Sequence, residues 1–303
     1  MDLKSKIILI SGPTASGKSK FAIKVAKKIN GEIINADSMQ VYKQLKILTA
    51  RPKKIDQKNI THHLYGFQNV KKNFSTGNWL KLVIKKINEI KKKNKIPILV
   101  GGTGLYFKSL TEGLVTIPNI PQKVREEARL LQKKVGQNKF YKKLIKLDPL
   151  VKNKINSNDV QRSIRAFEIK KFTKLSITKW FQKTKNLFDK DNFIKIYIDF
   201  PRIDLVERIK KRVDRMFDDG AIEEFKKYKK IKVKPENSSN KVIGIQEIDK
   251  YLKGEVDLRQ TKEIIYIKTR QYAKRQTTWA RGQMTSWQKV LPQDLKKYLK
   301  KFK

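Results

Sequence analysis

The chain contains no cysteine. Disulfides, thiolate nucleophiles and sulfur-ligated zinc are therefore excluded, and any metal must rely on oxygen ligands. Histidine is nearly as scarce. His62 and His63 are adjacent, so on regular structure they point apart and make a poor metal pair. No apolar run approaches the length of a membrane span, and the N-terminus leads into a strand-like run rather than a secretory leader. A cytoplasmic protein with no membrane partner is expected. Acidic residues are the third shortage: 28 Asp and Glu stand against 72 Lys and Arg, a formal net charge of +44. Such an excess favours a polyanionic partner, nucleic acid before an anionic membrane. Most of it is Lys, accompanied by many Asn and Ile, a pattern that biased genome composition also produces, so placed arginines carry more weight than the bulk charge. Asp218-Asp219 runs into Gly220-Ala221-Ile222. That is not the D-D-x-x-D pattern of the helical prenyl synthases, and their fold is disfavoured.

What is present is organised around residues 7–19. The apolar run Ile7-Ile8-Leu9-Ile10 feeds Gly12-Pro13-Thr14-Ala15-Ser16-Gly17-Lys18-Ser19, a G-x-x-x-x-G-K-S loop, and Phe21, Ala22, Val25, Ala26 and Ile29 follow at helical spacing. Strand, loop and helix in that order place backbone N–H groups and a helix N-terminus around phosphate oxygens. Lys18 adds a point charge, and the Ser19 hydroxyl is a candidate ligand for Mg²⁺. The site predicts a bound diphosphate or triphosphate without naming the reaction.

Gly31 is the expected C-cap of the first helix, and Glu32 to Ala36 reads as a second strand ending in Asp37-Ser38-Met39-Gln40. Residues 43–77 follow no clear period. Leu80, Val83, Ile84, Ile87 and Ile90 mark an amphipathic helix from Asn78 to Asn94, and Ile96 to Val100 a third strand that runs into Gly101-Gly102-Thr103-Gly104. The alternation predicts an α/β fold, a P-loop doubly wound parallel sheet. Pro118 and Pro121 break the rhythm. Residues 118–190 read as a basic helical insertion, dividing a core of 1–117 and 191–303. Residues 193–200 return to the sheet, helices follow, and the Lys-rich tail from Asp294 reads as a solvated end.

In an open parallel sheet ligands sit beyond the carboxyl ends of the strands. Topology thus gathers Lys18, Ser19, Asp37 and Thr103 into one crevice. Asp37 suits either a metal or a general base, with a simple turn cap as the alternative; for Thr103 in its Gly-rich turn the alternative is a bond to its own backbone. Arg162 and Arg165 share a helix face with phosphate-gripping or base-stacking potential, or else form an exposed salt-bridged face. Cations and aromatics interleave from Thr269 to Arg281, which suits single-stranded or loop RNA.

These stretches together resemble the tRNA dimethylallyltransferases, also called tRNA isopentenyltransferases. The resemblance rests on residues 12–19, Asp37-Ser38-Met39-Gln40-Val41-Tyr42, His62-His63-Leu64, Gly101 to Tyr106, Asp159 to Ala166, Ile243-Gly244 and the Thr269 to Arg281 block. It implies transfer of the dimethylallyl group from dimethylallyl diphosphate to N6 of the adenosine 3′ of the anticodon (tRNA position 37), giving N6-isopentenyladenosine. By the same resemblance, Gly12 to Ser19 hold the diphosphate with Mg²⁺ at Ser19, and Asp37 and Thr103 are catalytic. Asp37, Ser38, Met39, Gln40, Thr103, Arg125, Gln161, Arg162, Ser163, Ile164, Arg165, Lys274, Arg275, Gln276, Thr278, Trp279 and Arg281 hold the tRNA anticodon arm. A monomer is expected. The chain departs from the family at Ile245, commonly Tyr, and at Arg51, commonly Lys; without cysteine it has no zinc-binding tail of the kind eukaryotic members append. The competing reading is a P-loop small-molecule kinase with the insertion as an ATP lid.

Overall fold

The computed structural model describes residues 3–57 and 59–302. By contacts the chain divides into two compact units, one formed by residues up to Thr111 and from Phe188 onward, the other by Glu112–Leu187. In the first unit β1 (Ile7–Ser11) is followed by α1 (Lys18–Lys28), β2 (Gly31–Asn35), a single turn α2 (Lys54–Gln57), a short β3 (His62–His63), α3 (Thr76–Lys92), β4 (Ile96–Gly101) and α4 (Gly104–Thr111). The second unit contains α5 (Gln122–Leu147), α6 (Val160–Thr173) and α7 (Ile177–Gln182). The chain then resumes the first unit with β5 (Phe193–Ile198), α8 (Arg202–Asp218), α9 (Ala221–Lys230), α10 (Ile245–Leu252), α11 (Leu258–Gln283), β6 (Gln288–Val290) and α12 (Leu295–Leu299).

All strand pairs are parallel, in the order β3-β2-β4-β1-β5-β6. β1 and β4 are buried along their whole length, which is why they read as continuous apolar runs rather than alternating ones. Successive side chains still alternate between layers. Ile7 and Leu9 join Ile34, Leu99, Trp79 and Phe107 on the face covered by α3 and α4, while Ile8 and Ile10 join Ile33, Ile98, Phe21 and Val25 on the face covered by α1. Trp79 anchors the first layer: it is fully buried, stacks on Tyr106 at 4.3 Å and donates from Nε1 to the Asn35 carbonyl at 2.9 Å. A third cluster holds α8, α9, α10 and α11 against residues 41–48.

The structure corrects two local expectations and adds a strand that no sequence pattern announces. Gly31 is not the cap of α1. Asn30 takes the left-handed turn (φ 50°), and Gly31 opens β2 because a Cβ there would lie 2.6 Å from Ile98 Cδ1. The tail is not a solvated end: Phe302 is buried in the α1 layer with Leu295, Tyr298 and Leu299 against the same cluster. β6 carried no strand pattern, since Gln288 and Lys289 are exposed and pairing to β5 alone defines it. Within 43–77, the order that periodicity could not reveal comes from side-chain anchors. Glu224 of α9 accepts backbone N–H groups from Lys46 and Ile47 at 2.5–2.8 Å. His63 Nε2 and Lys95 Nζ meet buried Glu32 at 2.6 and 2.8 Å. Burial alone would raise the Glu32 pKa, but these two partners outweigh it and hold the carboxyl below its ordinary value.

The second unit has its own core. Leu144, Val151, Ala166 and Ile169 form one cluster, Ala128, Phe140 and Ile164 another, and Gly136 (φ 73°) breaks the helical path of α5. Asp159 caps α6 by accepting the Arg162 N–H at 3.0 Å.

Candidate active site

The phosphate loop leaves β1 at the point where the sheet order reverses, with β4 on one side and β5 on the other. Positive φ at Ala15 (63°) and Gly17 (85°) curls the backbone into the alternation that makes an anion-binding nest at the start of α1. Ser16 Oγ is buried inside this loop without a hydrogen-bond partner among the described residues. Thr14 is held from two sides: its N–H donates to Gln276 Oε1 at 2.8 Å, and Arg212 Nη1 donates to its hydroxyl at 3.0 Å. Gln276 Nε2 in turn donates to the Gly102 carbonyl at 3.0 Å, tying α11 to the ends of both β1 and β4.

A cleft of about 510 Å³ opens over the loop, lined by Thr14, Ala15, Gly17, Lys18, Ser19, Asp37, Ser38, Met39 and Gln40 among others. Its charge is unbalanced. Lys18 donates to the Pro13 carbonyl at 3.0 Å, and its pKa is pushed down to about 8, chiefly by burial; Asp37 opposes the fall and Arg212 adds to it. Burial likewise lowers the Arg212 pKa, with Asp37 opposing. Two desolvated cations thus face one carboxylate. Leu48, Val213, Met216, Val242 and Ile265 give the same cleft an apolar lining.

Asp37 follows β2. Its N–H donates to Asn35 Oδ1, and its Oδ1 accepts from the N–H groups of Met39 (2.9 Å) and Gln40 (3.3 Å). One carboxylate oxygen therefore caps the turn, while the other makes no hydrogen bond among the described residues. Thr103 is engaged with the same turn: its hydroxyl accepts from Ser38 N–H at 2.9 Å and donates to Ser38 Oγ at 3.3 Å. Burial and the nearby Asp37 raise the Tyr272 pKa, so its hydroxyl stays protonated in the cleft.

A smaller cavity of about 330 Å³ shares Ser38, Tyr272 and Arg275 with the cleft and adds Ser11, Gly12, Gly102, Thr103, Leu105, Tyr197, Gln276 and Trp279. Residues on α11 divide by face. Arg275, Gln276 and Trp279 line the cavities; Lys274, Thr278 and Arg281, spaced i, i+4 and i+7, lie on an exposed side. In the second unit, Gln161 and Arg162 are exposed, and Arg162 pairs loosely with Asp159 at 3.4 Å. Arg165 binds Glu168 at 3.2 Å, and Arg125 Nε donates to the Ile120 carbonyl at 3.1 Å. Ser163 and Ile164 depart from the expected nucleic-acid contact: both side chains are buried in the unit's own core, since they fall on the inward face of α6.

Arg212 and Arg208 were missed in the sequence. Their only signal was an i, i+4 arginine pair in a helix-patterned stretch, whose meaning depends on α8 lying over the phosphate loop. Arg208 stacks on Phe200 at 4.6 Å and also lines the cleft. No group of three or more His, Asp or Glu able to hold a metal exists among the described residues. Among the residues lining the cleft, the Ser19 hydroxyl and the Asp37 carboxylate are oxygen donors of the kind that suits Mg²⁺ bound mainly through substrate phosphates and water.

Comparison with known proteins agrees with this arrangement. The family model described as IPP transferase matches residues 40–283. A Pelagibacter ubique protein named tRNA dimethylallyltransferase is 63% identical over 303 residues, all of this chain and 97% of its own length. A Rickettsia massiliae protein of the same name is 44% identical over 93% of this chain and 78% of its own length. Among solved structures, the tRNA isopentenylpyrophosphate transferase of Bacillus halodurans superposes with a TM-score of 0.70 at 32% identity, covering 98% of this chain and 94% of that one. A eukaryotic dimethylallyltransferase described as acting on tRNA gives a TM-score of 0.82 at 30% identity, covering 97% and 75%. The kinase alternative is not favoured by these matches. No helix among the described residues is long and apolar enough to cross a membrane. With a phosphate loop at the switch point of a six-stranded parallel sheet and relatives of one name along its whole length, the chain belongs to the IPP transferase family, that of the tRNA dimethylallyltransferases.

Proposed function

We propose that this protein transfers the dimethylallyl group from dimethylallyl diphosphate to N6 of the adenosine 3′ of the anticodon in tRNA, giving N6-isopentenyladenosine and diphosphate. The observation that carries this reading is the cleft itself: its lining combines two desolvated cations, Lys18 of the phosphate loop and Arg212 of α8, with the Asp37 carboxylate and a set of apolar side chains. A diphosphate offsets the unbalanced charge, and a five-carbon chain fits the apolar wall.

The C1–O bond of the donor breaks and C1 forms a bond to N6, which gives up a proton. Charge develops on the leaving diphosphate, so Lys18, Arg212 and the loop N–H groups lower the barrier where it accumulates. Mg²⁺ held at Ser19 would neutralise further charge on the diphosphate. The free oxygen of Asp37 accepts the N6 proton or orients the amine, and Thr103 acts by holding the turn that carries Asp37. A stacked base cannot reach this cleft, so the adenine enters flipped out. Arg125, Gln161, Arg162 and Arg165, with the exposed side of α11 at Lys274, Thr278 and Arg281, hold the anticodon arm by phosphate contacts and stacking. The protein acts as a monomer in the cytoplasm.

Purified protein with Mg²⁺, dimethylallyl diphosphate and unmodified tRNA, followed by mass analysis of the digested nucleosides, tests this. Addition of one five-carbon unit to adenosine is expected, with Asp37→Ala binding tRNA but transferring little. Absence of the product with tRNA binding intact would sink the reading.

A further inference from the structure

The lining of the large cleft is graded along one helix. Arg208, Arg212 and Met216 of α8 all line it, at i, i+4 and i+8, so they form a single stripe along the helix axis. The stripe begins at the phosphate loop. Arg208 reaches Gly17, where a Cβ would lie 3.4 Å from its Nη2, and Arg212 donates to the Thr14 hydroxyl at 3.0 Å. Met216 follows without charge, and buried Val213 joins it in the lining. From Arg212 to Met216 the helix advances about 6 Å. The lining therefore passes from cationic to apolar within one turn of the loop.

The apolar end has little room to lengthen. α8 ends at Asp218, and the turn after it brings Gly220 to Ile47, whose neighbour Leu48 also lines the cleft. Leu48 is buried against Gly244, where a Cβ would come within 2.6 Å of Leu48 Cδ2. Glu224 accepts the backbone N–H groups of Lys46, Ile47 and Leu48, so this segment is anchored. Met216 is only partly buried and unbranched, and its reach sets the space that remains. A donor whose diphosphate occupies the loop and the two arginines has its chain directed along the stripe. A dimethylallyl group spans about one helical turn and a geranyl group about two. The first ends at Met216, whereas the second collides with it. We propose that the Met216 side chain closes the apolar end of the cleft and restricts the donor to a five-carbon chain, excluding the ten-carbon homologue. The inference rests on the prenyl-transfer reading and adds to it the class of donor that the site admits.

Met216→Ala opens this end and Met216→Phe fills it. Wild type and both variants are assayed with Mg²⁺, unmodified tRNA and either dimethylallyl or geranyl diphosphate, with mass analysis of the digested nucleosides. Inorganic diphosphate is measured alongside as an inhibitor competing with the donor. Wild type is expected to use the ten-carbon donor poorly. In Met216→Ala the ratio of kcat/KM for the geranyl donor to that for the dimethylallyl donor should rise by about tenfold or more, the scale of discrimination that a methylene carries in an apolar pocket. In Met216→Phe the KM for dimethylallyl diphosphate should rise while the inhibition constant of inorganic diphosphate is unchanged, because only the tail end is altered; general damage to the site would move both. Thermal unfolding checks that each variant folds, and Met216→Val, a smaller truncation, replaces an alanine variant that does not. An unchanged donor ratio in the truncated variant, wild-type transfer as efficient with the ten-carbon donor as with the five-carbon one, or equal weakening of donor and inorganic diphosphate in Met216→Phe would overturn the inference. If wild type prenylates no nucleoside with either donor, the prenyl-transfer reading itself fails; if it does and the variants keep its donor ratio, only the role of Met216 fails.

Discussion

Replacing Lys18 with methionine removes the cation that the phosphate loop holds at greatest cost. Its pKa falls from 10.5 to about 8, with burial as the main cause. At about 1.4 kcal/mol per pKa unit, the protonated native state is disfavoured by about 3 kcal/mol. The variant also loses the hydrogen bond from Nζ to the Pro13 carbonyl, worth about 1 kcal/mol. Lys18→Met is therefore expected to be more stable than wild type by about 2 kcal/mol at pH 7, while losing its grip on the donor. The advantage has a defined pH window. Above about pH 8 native Lys18 releases its proton, whereas the unfolded chain keeps it until about pH 10.5. The unfolded state then binds more protons, and the stability of wild type rises with pH until the gap closes. Urea unfolding of both proteins between pH 7 and 10.5 measures the gap directly, since other titrating groups are common to both. In parallel, wild-type kcat/KM for the donor should decline above about pH 8 as the free enzyme loses this charge. A variant no more stable than wild type at pH 7, or a gap that does not narrow toward pH 10.5, would refute the claim that Lys18 is held charged against desolvation.

Two further outcomes follow from packing and charge. Gly104→Ala places a Cβ inside the Trp279 ring, so an overpacking loss of about 1–3 kcal/mol is expected, together with slower reaction of RNA as Trp279 shifts; an unchanged unfolding temperature would contradict the close approach of α4 and α11. Glu32→Gln keeps the shape but removes the buried charge that joins His63 to Lys95, and should cost about 1–3 kcal/mol at neutral pH. Because the Glu32 carboxyl is held below its ordinary value, that difference is present above the unfolded carboxyl's pKa and disappears as the pH falls through the lower native one, which acid unfolding of the two proteins would reveal.

The sequence by itself determined the phosphate loop, the parallel α/β alternation and the acid after β2, because each is local. A G-x-x-x-x-G-K-S stretch between an apolar run and a helical pattern has few other foldings, and strands buried on both faces must be apolar throughout. Only the tertiary structure decided the rest of the site. Arg212 acquires its role because α8 lies over Thr14, and Gln276 because α11 reaches the ends of two strands distant in sequence. Ser163 and Ile164 share a motif with exposed arginines, yet helical geometry turns them inward, a sorting that adjacency in sequence cannot show. β6 and residues 43–77 lacked a readable period because long-range partners hold them: a strand pairing with β5 in one case, the Glu224 carboxylate in the other.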